Sequence, residues 1–303
     1  MHRGSFSGAF LSIRKSYAVG ASRFPGESGG NMRRKVDTLF RNPTPVIDIQ
    51  NISKKLDSAA KKDLAGRRMK HVQPLRGVRG TPHATVASVI AATWKGSRPD
   101  LTRDSEQLHE LFSTAHEDGL VAIGLVAALV PDAPEEALDL AERWIDLVDD
   151  VETADALGWM VYAPGLAASG EPISEVLCSY VRDARPIVRR LSVMALMARL
   201  PVAIEGPCAA AVRERVGNRR ALLIDHVDSE TLRSVCAAYI QDSDPLVRKS
   251  LARVIRAWGQ CEPAAVEEFL ADVPGGVNRR IREEAQRGIR KGIRLSTSTD
   301  DSR

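Results

Sequence analysis

Aromatic residues are scarce in this chain, at 5% of 303 residues. Sheet-rich folds draw on aromatic and β-branched residues, so this scarcity beside abundant Ala, Leu, Val and Arg favours helices. Cysteine is scarcer still. Cys178, Cys208, Cys236 and Cys261 stand far apart, with no C-x-x-C and no nearby histidine cluster. That pattern excludes a disulfide scaffold and predicts reduced, mostly buried thiols in a cytoplasmic protein. Long apolar runs are missing too. The longest, Leu120 to Val130, contains Gly124 and falls well short of the ~20 residues that a membrane span requires. The P-loop, G-x-G-x-x-G, HExxH and G-x-S-x-G patterns are all absent, so nothing points to a nucleotide, zinc-protease or serine-hydrolase site. No cofactor and no metal is expected.

What is present is ordinary for a globular chain: 44% hydrophobic and 27% charged residues, and a length that suits one large domain or two small ones. The net charge of +4 conceals a segregation. Residues 1–80 hold 17 Lys/Arg against 5 Asp/Glu, a net of +12; residues 81–160 hold 4 against 16, a net of −12. Such halves are either complementary faces of one fold or a footprint for a polyanion, and composition leans to the first.

Residues 1–31 hold no acid before Glu27 and are rich in Ser and Gly. They read as a disordered basic tail rather than a targeting segment, and Met32 could serve as a start. From residue 47 the pattern is helical, with Pro and Gly at the breaks. Expected helices include His83–Trp94, Glu117–Leu129, Glu135–Val148, Pro186–Leu200, Pro207–Val216, Pro245–Trp258 and Val277–Gly292. The helical domain is expected over 45–293, followed by a disordered tail at 294–303.

One internal repeat is visible. Asp183-Ala-Arg-Pro186-Ile-Val188-Arg189-Arg190 recurs 59 residues later as Asp242-Ser-Asp-Pro245-Leu-Val247-Arg248-Lys249. The Asp precedes a helix, Pro occupies its first turn, the Val turns inward and two basic residues follow. This is the pattern of the second helix of a HEAT-type repeat. It implies an all-α, right-handed superhelix whose equivalent helices line one concave face.

Two basic stripes follow from helical spacing. Lys249, Arg253 and Arg256 share one face, and Arg280, Arg287 and Lys291 share another. Each alone is a solvated helix face. Repeated with Arg189, Arg190 and Arg248, they would form a ladder suited to a phosphate backbone. An acidic motif runs from Trp144 to Asp155. Asp146, Asp149 and Asp150 share a face near a helix end, either as a functional carboxylate cluster or as an acidic face paired to Arg189 and Arg190. His116-Glu117 lacks zincin spacing and reads as a capping or surface histidine.

Together these segments resemble the DNA alkylation repair family, the HEAT-like-repeat alkylpurine DNA glycosylases, over about residues 45–293. The resemblance runs through Met69-Lys70, Gly77-Val78 to Pro82, Leu111 to Glu117, Trp144 to Asp155, Pro186–Val193 and Pro245–Arg256. It implies a concave face that holds duplex DNA, a carboxylate that maps to Asp149, and a backbone-contacting arginine that maps to Arg190. The cleft aromatics map to Ile145, beside Trp144, and to Arg253, so two rings of the family pattern are replaced. The resemblance therefore implies a monomer that binds duplex DNA with no membrane partner, and predicts alkylpurine release that is weak or absent. A scaffold for an acidic protein partner, or an RNA-binding protein, would share the same basic face.

Overall fold

The computed structural model describes residues 47–72, 74–96, 99–200, 207–208 and 229–300. Among them the secondary structure is helical, and one isolated bridge joins Gly77 and Ala115. In chain order the helices are α1 (Ile49–Ser58), α2 (Lys62–Val72), α3 (His83–Gly96), α4 (Leu101–Thr114), α5 (His116–Ala127), α6 (Pro134–Ile145) and α7 (Val151–Leu157). A π-helical turn, Gly158–Tyr162, leads from α7 into α8 (Ala163–Ala168). Then come α9 (Ile173–Ser179), α10 (Pro186–Ala195), α11 (Ser229–Tyr239), α12 (Pro245–Cys261), α13 (Pro263–Asp272) and α14 (Arg279–Asp300).

The helices form two layers. In one, α5, α7, α10, α12 and α14 stack in succession; in the other, α4, α6, α8, α9, α11 and α13 follow the same order. Neighbour-to-neighbour stacking of helix pairs is an α-solenoid, as the 59-residue repeat predicts. The repeat's apolar logic holds: Val188 and Val247 are both fully buried. Its capping logic holds in part. Asp244, not Asp242, caps α12 by accepting from Leu246 N. Asp183 and Asp242 each accept an amide two residues on, from Arg185 and Asp244. They shape the turn before the helix rather than its first turn.

The chain's most apolar run becomes α5, which is buried along its whole length. It can be apolar all round because helices cover every side. Against it lies a strap, residues 74–80, that links α2 to α3. This strap and the end of α2 account for three of the basic residues of the segregated sequence. Arg68, Arg76 and Arg79 come from the basic half and turn inward onto acids of the next one. Glu117 has no exposed surface and accepts from Arg68 Nη1 at 2.6 Å and from the amides of Arg79, Gly80 and Thr81 at 2.9, 2.9 and 3.2 Å. Asp118 accepts from Ser53 and twice from Arg79, which also reaches Asp57. Gly80 has φ +80° and lies against the Lys61 and Ala65 backbone, so no side chain fits there.

At the other end α12 and α14 meet backbone to backbone. A Cβ on Gly288 would overlap the Arg256 carbonyl, and one on Gly292 would lie 2.7 Å from the Gly259 oxygen. The order of these contacts makes the two helices parallel. Gly-to-Ala normally stabilises a helix by about 1 kcal/mol, but overpacking here costs about 1–3 kcal/mol. Gly288→Ala is therefore expected to lower the melting temperature by several degrees; an unchanged or raised melt would show that the seam yields. Helix α14 itself continues to Asp300, so the segment expected as a tail from 294 is helical as far as that residue. The helix expected at Pro207–Val216 lies almost wholly outside the described residues, as do residues 1–31.

Candidate nucleic-acid interface

Three successive helices of one layer, α7, α10 and α12, begin at Val151, Pro186 and Pro245. Their fifth residues are Asp155, Arg190 and Lys249. Equivalent positions in stacked repeats form a row, and here the row carries charge. Arg190 grips Asp155 with both arms, Nε to Oδ1 and Nη2 to Oδ2, each at 2.7 Å. Its third nitrogen donates to the Leu246 carbonyl at 3.2 Å. Arg253, one turn beyond Lys249, brings Nη1 within 3.7 Å of Asp155 Oδ2 while staying half exposed. Burial pushes the Asp155 carboxyl above the ordinary range, against the pull of Arg190 and Arg253. The π-helical turn follows directly; such turns recur at functional sites. Gly158 lets it approach α10, since a Cβ there would lie 2.5 Å from the Leu191 oxygen.

Asp149, the carboxylate expected in this role, is otherwise employed. Its Oδ2 accepts the amides of Leu75 and Arg76 at 2.7 and 3.0 Å; its Oδ1 accepts Arg76 Nε and Nη2 at 3.2 and 2.9 Å. Both oxygens are thereby taken up in tying down the strap. Asp146 is exposed and pairs with Arg185 at 3.2 Å. The three acids thus part company, and Asp155, beyond the expected trio, is the one beside the basic row. Trp144 and Ile145 lie in the core, not in a cleft. Trp144 is fully buried and stacks on Phe112 with centroids 4.4 Å apart. Arg76 lies over the other side of that pair, 4.7 Å from the Phe112 centroid.

The basic residues divide into tethers and free cations. Arg189 is bound to Asp242 at 2.7 Å and to the Asp183 carbonyl, and Arg190 is buried. Both pack repeats together rather than facing solvent. Arg256 and Arg287 are exposed and share Glu284 at 3.2 and 2.7 Å. Arg248, Lys249, Arg280 and Lys291 have no carboxylate partner among the described residues. Lys249, Arg280 and Lys291 are exposed and Arg248 is half buried. Because α12 and α14 run parallel, the Lys249–Arg253–Arg256 and Arg280–Arg287–Lys291 stripes lie alongside one another. The result is a basic surface that begins at Asp155 and widens toward the last helix.

The sequence model of the DNA alkylation repair enzyme family matches residues 52–290. That span takes in the strap, the charged row, the α12 stripe, and Arg280 and Arg287 of the α14 stripe. The chain belongs to this family. No curated protein matches the chain closely enough to add a nearer relative. Among the described residues, no helix is long and apolar enough to cross a membrane, and no group of His, Cys, Asp and Glu side chains is arranged to hold a metal ion.

His116, expected as a capping or surface histidine, is fully buried at the start of α5. Its Nδ1 lies 3.2 Å from Asp150 and its Nε2 3.0 Å from Glu152. Burial opposes the charged ring, but two carboxylate partners outweigh it and raise the pKa to about 9. With acceptors on both sides, both nitrogens donate, as only the imidazolium can. Burial likewise works against ionised Asp150 and Glu152, yet His116 holds both below the ordinary carboxylate range. A folded pKa above the unfolded one gives stability that is complete below pH ~6.5 and lost as pH rises to about 9. The full effect is on the order of 3 kcal/mol. Melting temperature is thus expected to fall between pH 6.5 and 9, and His116→Gln should flatten that slope. Equal slopes in both proteins would place the titrating group elsewhere.

Proposed function

We propose that this chain binds duplex DNA along the surface built by Lys249, Arg253 and Arg256 of α12 and Arg280, Arg287 and Lys291 of α14. The observation that carries the reading is the set of exposed cations on two parallel helices of a DNA alkylation repair family member, of which Lys249, Arg280 and Lys291 have no carboxylate partner among the described residues. Unpaired cations gain most from a polyanion, because neutralising a phosphate releases counterions without first breaking an internal pair. Binding is sequence-tolerant, since the stripes consist of backbone-contacting residue types. Within this reading Asp155, not Asp149, is the carboxylate that faces a bound strand. Each of its oxygens holds one close bond from Arg190, which leaves acceptor capacity toward the positive charge that develops when an N-glycosidic bond of an alkylpurine breaks. Arg253 stands at the same place and opposes that charge, so binding outlasts excision. The four free thiols suit a reducing, cytoplasmic setting, and we take the DNA-binding unit to be one chain.

Affinity for a duplex should fall with salt at about −0.9 in log K per log salt for each phosphate neutralised. The triple variant Lys249→Glu, Arg280→Glu, Lys291→Glu is expected to lose about three units of that slope. None of the three side chains has an internal carboxylate partner, so the melt should hold. Binding indifferent to salt and to these changes would exclude the DNA reading and favour a protein partner.

A further inference from the structure

We infer that the strap and the neighbouring α2 form a second DNA contact, in which Leu75 enters a groove of the duplex and the exposed lysines of α2 and its start meet the backbone. This rests on the DNA-binding reading above and adds a contact at the opposite end of the solenoid. Leu75 is 94% exposed, the most exposed large apolar side chain of the described residues. Exposed leucines are ordinary on mobile loops, but this one is held still. Its amide and the next both donate to Asp149. Arg76 adds bonds to Asp149, Asp150, Thr153 and the Phe112 carbonyl. Pro74, on the other side, is buried. One carboxylate and one arginine thus serve to fix a backbone whose side chain touches almost nothing of its own protein. Folding gains nothing from that exposure.

The surroundings point to the occupant. The strap returns along α2, because the Lys61 amide donates to the Gly80 carbonyl. Lys61, Lys62 and Lys70 of that border are exposed, and none has a carboxylate partner among the described residues. Every buried cation here is an arginine, and every lysine is left to solvent. Met69, 43% exposed, adds a second apolar contact next to Lys70. A stable protein interface needs ~800 Å² from each side, with an apolar centre, and Leu75 with Met69 does not supply one. A fixed, exposed apolar side chain on a border that carries unpaired lysines matches the wedge that proteins press into the minor groove, against or between base steps. Leu75 is pinned to the residue before the N-cap of α7, the helix that carries Asp155. A wedge there would open the duplex at the edge of the charged row.

The test uses the full chain and an alternating 2-aminopurine–thymine duplex, whose fluorescence rises when bases unstack. Wild-type protein should raise the fluorescence. Leu75→Ala should abolish the rise and weaken binding about tenfold, with the salt slope unchanged. The pair Lys61→Glu, Lys70→Glu should lower the slope by about two units. Both variants should melt as wild type does, since all three side chains are exposed. Salt-dependent binding that Leu75→Ala leaves untouched, with no fluorescence change, would overturn the wedge and spare the DNA-binding reading. Failure of the wild-type chain to bind any duplex would overturn both.

Discussion

Glu117→Ala is expected to cost the protein most or all of its folded state at physiological temperature. Glu117 is buried without solvent contact, yet it satisfies one guanidinium and three backbone amides. Removing one partner of a buried ion pair costs about 3–5 kcal/mol, because the other charge stays behind. Each orphaned amide adds about 1 kcal/mol or more. The sum approaches the 5–15 kcal/mol by which a domain is typically stable. Glu117→Gln keeps the shape and one acceptor oxygen, so it should lose markedly less. Thermal melts of the two variants check this; a Glu117→Ala protein that melts with the wild type would show that Arg68 finds another acceptor.

Release of a cationic 3- or 7-alkylpurine from DNA is expected to be slow, and Arg253→Trp is expected to speed it. The base carries positive charge and the sugar gains it as the bond breaks. Arg253 stands within 3.7 Å of the only carboxylate of the row and repels that charge, where a ring would attract it by about 0.5–2 kcal/mol. Trp144 and Trp159 are both buried, so neither supplies the missing ring. A combined loss of ~3 kcal/mol in the transition state is about a hundredfold in rate. Excision from methylated duplex by wild type, Arg253→Trp and Asp155→Asn measures this. Recovery in the first variant and loss in the second is the expected result. Fast wild-type release that survives Asp155→Asn would remove Asp155 from the chemistry.

The sequence carried the helical class, most helix starts and the repeat, since these rest on local signals: Pro in first turns, glycine at breaks, an inward Val at each copy. The charge segregation of residues 1–160 was equally visible, and Arg68, Arg76 and Arg79 meet acids of the second segment as complementary faces would. Which arginine meets which acid was not visible. Arg68 and Glu117 are 49 residues apart, and Arg76 and Asp149 are 73 apart, with nothing local to pair them. The same limit hid the different positions of two acids. Asp149 and Asp155 lie in one short motif, and only the position of Arg190 on the next helix separates a strap anchor from a row residue. Trp144 misled for a related reason: a tryptophan beside acids suggests a cleft, whereas its ring completes the core against Phe112. Counting from each helix start, rather than matching motifs, would have aligned Asp155 with Arg190 and Lys249.

The two tethers, Arg189 to Asp242 and Arg190 to both Asp155 and the Leu246 carbonyl, bear on how the chain comes apart. A solenoid behaves as a line of units coupled only to their neighbours, and weak couplings let such a line fray from its ends. Here α10 is bonded on one side to α7 and on the other to the turn and first residues of α12. Releasing either neighbour strands a buried guanidinium, so each boundary resists opening alone. Adjacent repeats are thereby locked into one cooperative block, and the rigid spacing of the row from Asp155 to Lys249 is inherited from that cooperativity.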